Sequence, residues 1–566
     1  LYFTKEVFDG TYPGYGSSYP DLQGGLGILF EQASSRGHLQ KTDMGEMSFA
    51  FTIRNQFATS RATVQAAVEN KNLLHEYQKE FFKSALSNAR SSKIKGYVFG
   101  DADDENRTRA FIDKLLLHRI ECFQLSKDVE LGGKKFKAGS AYVVPTEQVQ
   151  YRMVQTMFET YSEFQDSVFY DASAWSMANF YNMPYASSTG SISRGDRVTS
   201  STNMTNISSV KRSEYGYLAS WNNYNAPGFL NQLLTKGILV NSAFKPFSIK
   251  IGGQDKEFSY GTLMIPCQKQ KISQDSLLAV IQEASSKWKV EVDALNTGYS
   301  SKGVDLGSRY FNTIEKPKAL LLVGQSVSSY EAGEVWHLLD QRVHMPITKL
   351  PLRNFGRANL DEYNTLVMVS GSYPQLDSLK KKKLKDWATK GNTLITIREA
   401  SKWLIKNKLV KDSLITKKKE KDPTVKRADY VGAPEELGRE RIGGAIFEVD
   451  LDITHPLGFG YARRSLPVYR NSRVFLKPSK NAYCTVARYT EDPHIDGFVT
   501  KKNMEEFLKP SASLIVSPIG KGRAIMFADN PNFRGSWYGT NRMFLNALFL
   551  GNHIRIPKDS GGHVHE

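Results

Sequence analysis

The strongest constraint on this chain is that part of it is written twice. GYVFG at Gly96 recurs as GYLAS at Gly216, and FIDKLLLHRIECF at Phe111 recurs as FLNQLLTKGILVN at Phe229. The pair Gly132-Gly133 recurs as Gly252-Gly253, Phe136…Gly139 as Phe258…Gly261, and Pro145…Gln148 as Pro266…Gln268. The offsets stay between 118 and 122 residues, which chance composition does not produce. Self-similarity at a fixed spacing means a repeated structural unit. Each copy reads as strand, polar loop, amphipathic helix, strand, Gly-Gly hairpin, strand, helix. Positive φ in a tight hairpin accounts for the glycine pairs without any ligand. These copies set two α/β units, at 89–190 and 210–312.

One copy also serves as a control on the other. The first carries an acidic loop, DADDEN, with Asp101, Asp103, Asp104 and Glu105, which invites a calcium reading. The matching loop of the second, WNNYNA from Trp221 to Ala226, has no carboxylate, and the acidic spacing is not that of an EF-hand. The acidic loop is therefore expected to be a solvated one. Between the copies, the Ser/Thr/Asn-rich stretch at 187–209 reads as an exposed linker.

With 566 residues the chain has room for roughly three or four domains. No apolar run approaches the length of a membrane span. The formal charge of +17 invites a nucleic-acid reading, but much of it sits in two lysine runs, Lys380–Lys385 and Lys417–Arg427. No RNP, zinc-finger or GxxG signature accompanies them, so they read as a solvated helix face and a surface loop, and no nucleic-acid partner is expected. Cys122, Cys267 and Cys484 offer neither a disulfide framework nor a metal knuckle.

From 315 to 555 the pattern changes. KALLLVG, NTLVMVSG and NTLITI read as strands, separated by helical stretches at YEAGEVWHLLDQR and LKKKKLKDWATKG. That alternation predicts a parallel, doubly wound sheet. GRAIMF and the stretch after it give a last strand and a closing helix. NPNFRGSWYGTNR concentrates Arg534, Trp537, Tyr538 and Arg542 before that helix, residue types suited to a sugar or a peptide carboxylate, or equally to packing. Residues 556–566, with His563 and His565, form a Gly-rich tail. His337 and Asp340, three apart on one helix, have no third ligand beside them and read as ordinary helix residues.

Residues 1–88 hold the catalytic candidate. A Gly/Tyr/Ser-rich loop, GTYPGYGSSYPDLQGG, leads into LGILF at 26–30, which is expected to be a buried strand delivering Glu31 at its C-terminal end. A long helix is expected from Thr59 to Arg90. The opening at Leu1, with neither an initiating Met nor a signal peptide, leads to the expectation that the chain begins inside a longer protein.

TKEVFDGTYPGYGSSYPDLQGGLGILFEQASSRG resembles the C-terminal part of the catalytic domain of the zinc carboxypeptidases, the carboxypeptidase A-like metallopeptidases. The resemblance implies a general base at Glu31 and a substrate-contacting tyrosine at Tyr12, Tyr15 or Tyr19. It implies peptides as substrate and zinc in the complete protein. The family's HxxE pair and third histidine would precede Glu31, and no histidine does, so this chain alone is expected to bind no metal and to be inactive. The downstream arrangement resembles the C-terminal extension of large bacterial members, which implies a periplasmic or secreted protein. Its last domain resembles class I glutamine amidotransferases, yet no cysteine lies between Cys267 and Cys484, and NTLITI runs instead into Arg398. A different class of reading stands beside this one, a non-catalytic cell-envelope protein whose C-terminal domains hold peptides or glycans.

Overall fold

The structure, a computed structural model, describes residues 12–32, 35–164, 173–201, 207–416, 427 and 429–557. It is a mixed α/β chain of several sheets. Two long helices, α1 (Phe49–Glu69) and α2 (Lys71–Ser91), come first and meet at Asn70. They replace the single helix expected from Thr59. A short hairpin, Leu39–Thr42 with Gly45–Ser48, precedes them.

The duplication is visible strand for strand. The first copy contains β1 (Gly96–Phe99), helix α3 (Glu105–Leu117), β2 (Phe123–Leu125), β3 (Tyr142–Pro145), helix α4 (Tyr151–Phe158), β4 (Tyr185–Ser188) and β5 (Arg194–Arg197). The second contains β6 (Gly216–Ala219), helix α5 (Ala226–Thr235), β7 (Asn241–Ala243), β8 (Leu263–Pro266), helix α6 (Gln274–Trp288), β9 (Asp293–Leu295) and β10 (Phe311–Thr313). The sheet orders are β4-β1-β3-β2-β5 and β9-β6-β8-β7-β10, the same path through the same positions. Register repeats too, with Gly96 opposite Pro145 in one copy and Gly216 opposite Pro266 in the other. Every pairing within both sheets is antiparallel.

Both Gly-Gly pairs close hairpins, with φ of 54° and 70° at Gly132 and Gly133 and 59° and 86° at Gly252 and Gly253. Positive φ at both central residues is what a two-residue hairpin demands. The glutamine repeat is shifted from the sequence alignment. Gln148 donates to the carbonyls of Pro145 and Glu121 and accepts from the Glu121 N–H. In the second copy Gln270, not Gln268, makes the same three bonds, to Pro266 and Leu239. The stretch expected to be a linker instead supplies the end of β4 and the whole of β5 to the two edges of the first sheet.

The C-terminal region forms one nine-stranded sheet. Its strands are β11 (Ala319–Val323), β12 (Thr348–Pro351), β13 (Thr365–Met368), β14 (Thr393–Ile397), β15 (Ala445–Leu451), β16 (Ser465–Arg470), β17 (Thr485–Gly497), β18 (Ala512–Ile519) and β19 (Gly522–Phe527). The order is β12-β11-β13-β14-β19-β18-β17-β15-β16. The five strands from β12 to β19 are parallel, and the other four extend the sheet antiparallel. The parallel, doubly wound expectation thus holds for half the sheet. Helices α7 (Ser329–His337), α8 (Ser378–Thr389), α9 (Glu399–Lys406) and α10 (Asn541–Leu550) pack around it. The lysines of α8 are tied down locally, Lys382 to Asp386 and Lys383 to the carbonyls of Gly356 and Ala358. Apart from Arg427, the second lysine run lies outside the described residues, as do His563 and His565.

The three parts share cores. Trp537 stacks on Phe180 of the first copy at 4.7 Å, and Trp221 of the second copy donates its indole N–H to Asn546 of α10 at 2.8 Å. Among the described residues no helix is long and apolar enough to cross a membrane.

Candidate functional site

The expected buried strand at 26–30 does not form. Leu26, Ile28, Leu29 and Phe30 are 45–60% exposed in a segment without regular secondary structure that pairs with no strand among the described residues. Glu31 at its end is exposed. The apolar composition called for burial, but burial needs a covering element, and none of the described residues supplies it. Helix α1 buries none of its residues, and α2 buries only Ala85 and Ala89.

The tyrosine loop, by contrast, is seated against the rest of the molecule. Arg534 lies 3.9 Å over the Tyr12 ring and donates from Nη2 to the Tyr15 hydroxyl at 2.9 Å. The Tyr19 hydroxyl lies 3.1 Å from His118 Nδ1. All three tyrosines line one cleft of about 630 Å³, together with Arg534 and Tyr538 of the C-terminal motif. Glu31 is not among its lining residues. The other two members of that motif are committed elsewhere. Trp537 is buried, and Arg542 is buried donating to the carbonyls of Trp221, Asn222 and Asn223.

Backbone strain marks the same place. Arg534 has φ 51° and ψ 18°, a left-handed conformation unusual for a long side chain, and Gly535 follows at φ 63°. Glu334 of α7 holds this turn by accepting from the Arg534 N–H at 2.6 Å and from Asn530 at 2.5 Å. Burial lifts the Glu334 carboxyl to about 7, against those two donors. Arg342 lies 3.8 Å over the Tyr538 ring, and Tyr538 stacks on Tyr181 at 4.4 Å. Burial, and then Lys114, lowers the pKa of His118; burial and Arg342 lower that of His337 against the pull of Asp340.

Two other sequence candidates resolve differently. The acidic loop is solvated only in part, since Asp103 and Glu105 are exposed but the other two carboxylates are not. Asp101 and Asp104 are 3% exposed, Asp101 paired with Arg107 and with Arg463 at 2.8 Å, and Asp104 accepting from the Tyr224 N–H at 2.9 Å. The charges look outward in sequence, but one of the two arginines on Asp101, Arg463, lies 362 residues away. At the end of β14 the chain turns sharply through Arg398, with φ 52° and ψ −115°, into α9. Such a strained strand-to-helix turn is where nucleophiles sit in some enzymes. Here it carries a guanidinium, bonded to Glu331 and to the Asn471 carbonyl, both at 2.9 Å. Cys122, Cys267 and Cys484 are all buried and unpaired, and burial raises each thiol.

Zinc, which the carboxypeptidase resemblance implies, does not fit these residues. Among the described residues no three His, Cys, Asp or Glu side chains gather to hold a metal ion.

No protein-family profile matches this chain, and no curated protein sequence does. Solved structures similar to part of it include a glutamine amidotransferase from Thermotoga maritima, at 13% identity and a TM-score of 0.27 over 41% of this chain and 94% of that one. A ThuA-like protein from Parabacteroides merdae matches at 12% identity and a TM-score of 0.27, over 43% and 94% of the two chains. A β-galactosidase from Bacillus circulans sp. alkalophilus matches at 14% and 0.22, over 42% and 30%. Amidotransferase-like and ThuA-like folds are thus among its structural neighbours. At such scores they bring no activity with them, and the α/β architecture rests on the strand order described above.

Proposed function

We propose that this chain carries the closing part of a metallocarboxypeptidase-like catalytic domain, acting on C-terminal peptide bonds with Glu31 as its general base. The observation that carries the reading is the exposed run Leu26–Phe30. Four large apolar side chains exposed on a segment that joins no sheet among the described residues are what a strand would present if its sheet were supplied from elsewhere. The likeness of the Tyr-rich loop and LFEQAS to the peptidase family supports it further. A carboxylate so placed takes a proton from the attacking water and passes it to the leaving amine. Metal ligands would come from residues beyond this sequence, and the isolated chain would be inactive. A periplasmic or secreted location goes with this reading.

In the full-length protein Glu31→Gln should lower hydrolysis of C-terminal residues by about 10²–10⁴-fold while leaving peptide binding intact. An unchanged rate would remove Glu31 from the chemistry. Zinc-dependent release of C-terminal amino acids by the isolated chain would overturn its assignment as inactive.

A second reading is favoured by one observation, that the three tyrosines gather in a cleft which Glu31 does not line. On this reading the protein is a non-catalytic cell-envelope module that holds peptides or glycans.

A further inference from the structure

We infer that the crevice at the C-terminal ends of β11 and β13 is a saccharide site, taking a neutral mono- or disaccharide with one ring stacked on Trp403. It goes beyond both readings above and shares no residue with Glu31 or the tyrosine cleft. Its first support is topology. The parallel strands run β12-β11-β13-β14-β19, so the chain leaves β11 for β12 on one side and then crosses to β13 on the other. The crevice outside the strand ends at such a reversal is where open α/β sheets bind ligands. A cleft of about 590 Å³ lies there, between Ser326 and Ser328 after β11, Ser370 and Ser372 after β13, and Trp403 on α9. That volume suits one or two sugar rings.

The second support is how firmly the crevice is built. The Ser372 N–H bonds the Ser326 carbonyl at 3.0 Å, and the Ser328 N–H bonds the Ser370 carbonyl at 2.8 Å. Beneath them the buried Glu331 accepts from the Ser370 N–H at 2.7 Å with one oxygen and from Arg398 at 2.9 Å with the other. Ser326, Tyr373 and Arg398, which follow β11, β13 and β14, hold φ of 71°, 51° and 52°. Left-handed residues kept in place by dedicated partners gather at ligand sites.

The third support is the chemistry of the lining. Trp403 is half-buried, with Tyr373 behind it at 5.5 Å, and its indole N–H has no partner among the described residues. Glu399 gives one oxygen to Lys402 at 2.8 Å and keeps the other for a ligand. Ser326 and Ser372 are exposed at the mouth. A sugar ring has an apolar C–H face and a rim of hydroxyls that both donate and accept, which a flat indole beside a carboxylate and serine hydroxyls matches. An anion fits less well. Glu331 and Glu399 already occupy the first turns of α7 and α9, and Lys402 is committed to Glu399.

The test is saturation-transfer NMR and tryptophan-fluorescence titration of the 566-residue chain with cellobiose, maltose, lactose and diacetylchitobiose, beside inorganic phosphate and AMP. At least one of the four disaccharides should bind with a Kd of about 1 mM or tighter. Trp403→Ala should weaken it at least tenfold, and Trp403→Phe, which keeps a stacking face, should hold it within about threefold. Because Trp403 packs on Tyr373, Ser372→Gln provides a variant away from that contact. It should fill the mouth and weaken binding at least tenfold without lowering the melting temperature. Binding by none of the disaccharides overturns the site, and so does disaccharide binding that ignores both Trp403→Ala and Ser372→Gln. Tighter binding of phosphate or AMP overturns it in favour of an anion. Each of these failures leaves Glu31 and the tyrosine cleft as they stand, since neither contributes to the crevice.

Discussion

The two copies of the repeat share a path through the sheet but spend the loop after their first strand in opposite ways. In the first copy that loop offers anions, Asp101 and Asp104, which meet Arg107 of its own helix and Arg463 from the C-terminal region. In the second it offers main-chain carbonyls, those of Trp221, Asn222 and Asn223, which receive the guanidinium of Arg542. The loops also touch each other, through Asn106 and Asn223 at 2.8 Å and through Asp104 and the Tyr224 N–H. One C-terminal region thus grips a duplicated frame with two arginines, one answered by charge and one by backbone dipoles. Sheet register tolerates no change because a slip moves every side chain to the wrong face, whereas a loop is free to take whatever chemistry its new neighbour needs.

The largest break in this comparison is Arg542→Met. It removes a buried cation that three carbonyls and Asp104 all face, and should cost about 3–5 kcal/mol in urea unfolding. Asp101→Ala should come next, at about 3 kcal/mol, since it leaves buried Arg107 with only the longer contact to Asp104 while Arg463 regains partial access to water. A cost below about 0.5 kcal/mol would mean that the acidic loop is solvated after all.

That contrast explains what could be read from the residues alone. The duplication was legible because its determinants are local, glycine pairs that must take positive φ and apolar anchors such as Phe111 and Phe229. The strands at 319–323, 365–368 and 393–397 were legible for the same reason, through continuous apolar runs. The burial of Asp101 was not, because it depends on a residue 362 positions away. Arg534 could be picked out by type, but its meeting with Tyr15 joins positions 519 apart and leaves no periodic trace. At LGILF the hydropathy pattern was sound and the inference from it was not, since apolar residues announce a need for cover without saying where the cover is.

A sharper comparison lies within the first copy's loop, where two aspartates three residues apart should titrate with opposite signs. For Asp101, burial raises the pKa, but Arg107 and Arg463 outweigh it and hold the carboxyl below its ordinary value. Its stabilisation is therefore present above the unfolded pKa and is lost as pH falls through the folded one. For Asp104 burial wins over Arg107 and Arg542, and the pKa is raised. Its contribution is present below the unfolded pKa, about 4, and is lost as pH rises through the folded value. Against wild type, Asp101→Asn should thus close its stability deficit toward acid, and Asp104→Asn should gain ground toward neutrality. Urea midpoints collected from about pH 3 to pH 7 would show two slopes of opposite sign, and slopes of the same sign would undo the distinction.

The smallest expected effects compare the copies where they are most alike. Gln148 and Gln270 each bridge a strand end to the segment after the preceding helix, through one accepted and two donated bonds. If the copies are equivalent in energy as well as in path, Gln148→Ala and Gln270→Ala should cost the same. They should not, because Gln148 is 5% exposed while Gln270 is half-buried. Losing Gln148 leaves the Glu121 N–H and two carbonyls short of partners with little water to replace them, at about 2 kcal/mol. Water can reach the partners of Gln270, and its loss should cost about 1 kcal/mol. A reversed order in paired urea titrations would mean that the second copy, not the first, carries the tighter half of the duplicated frame.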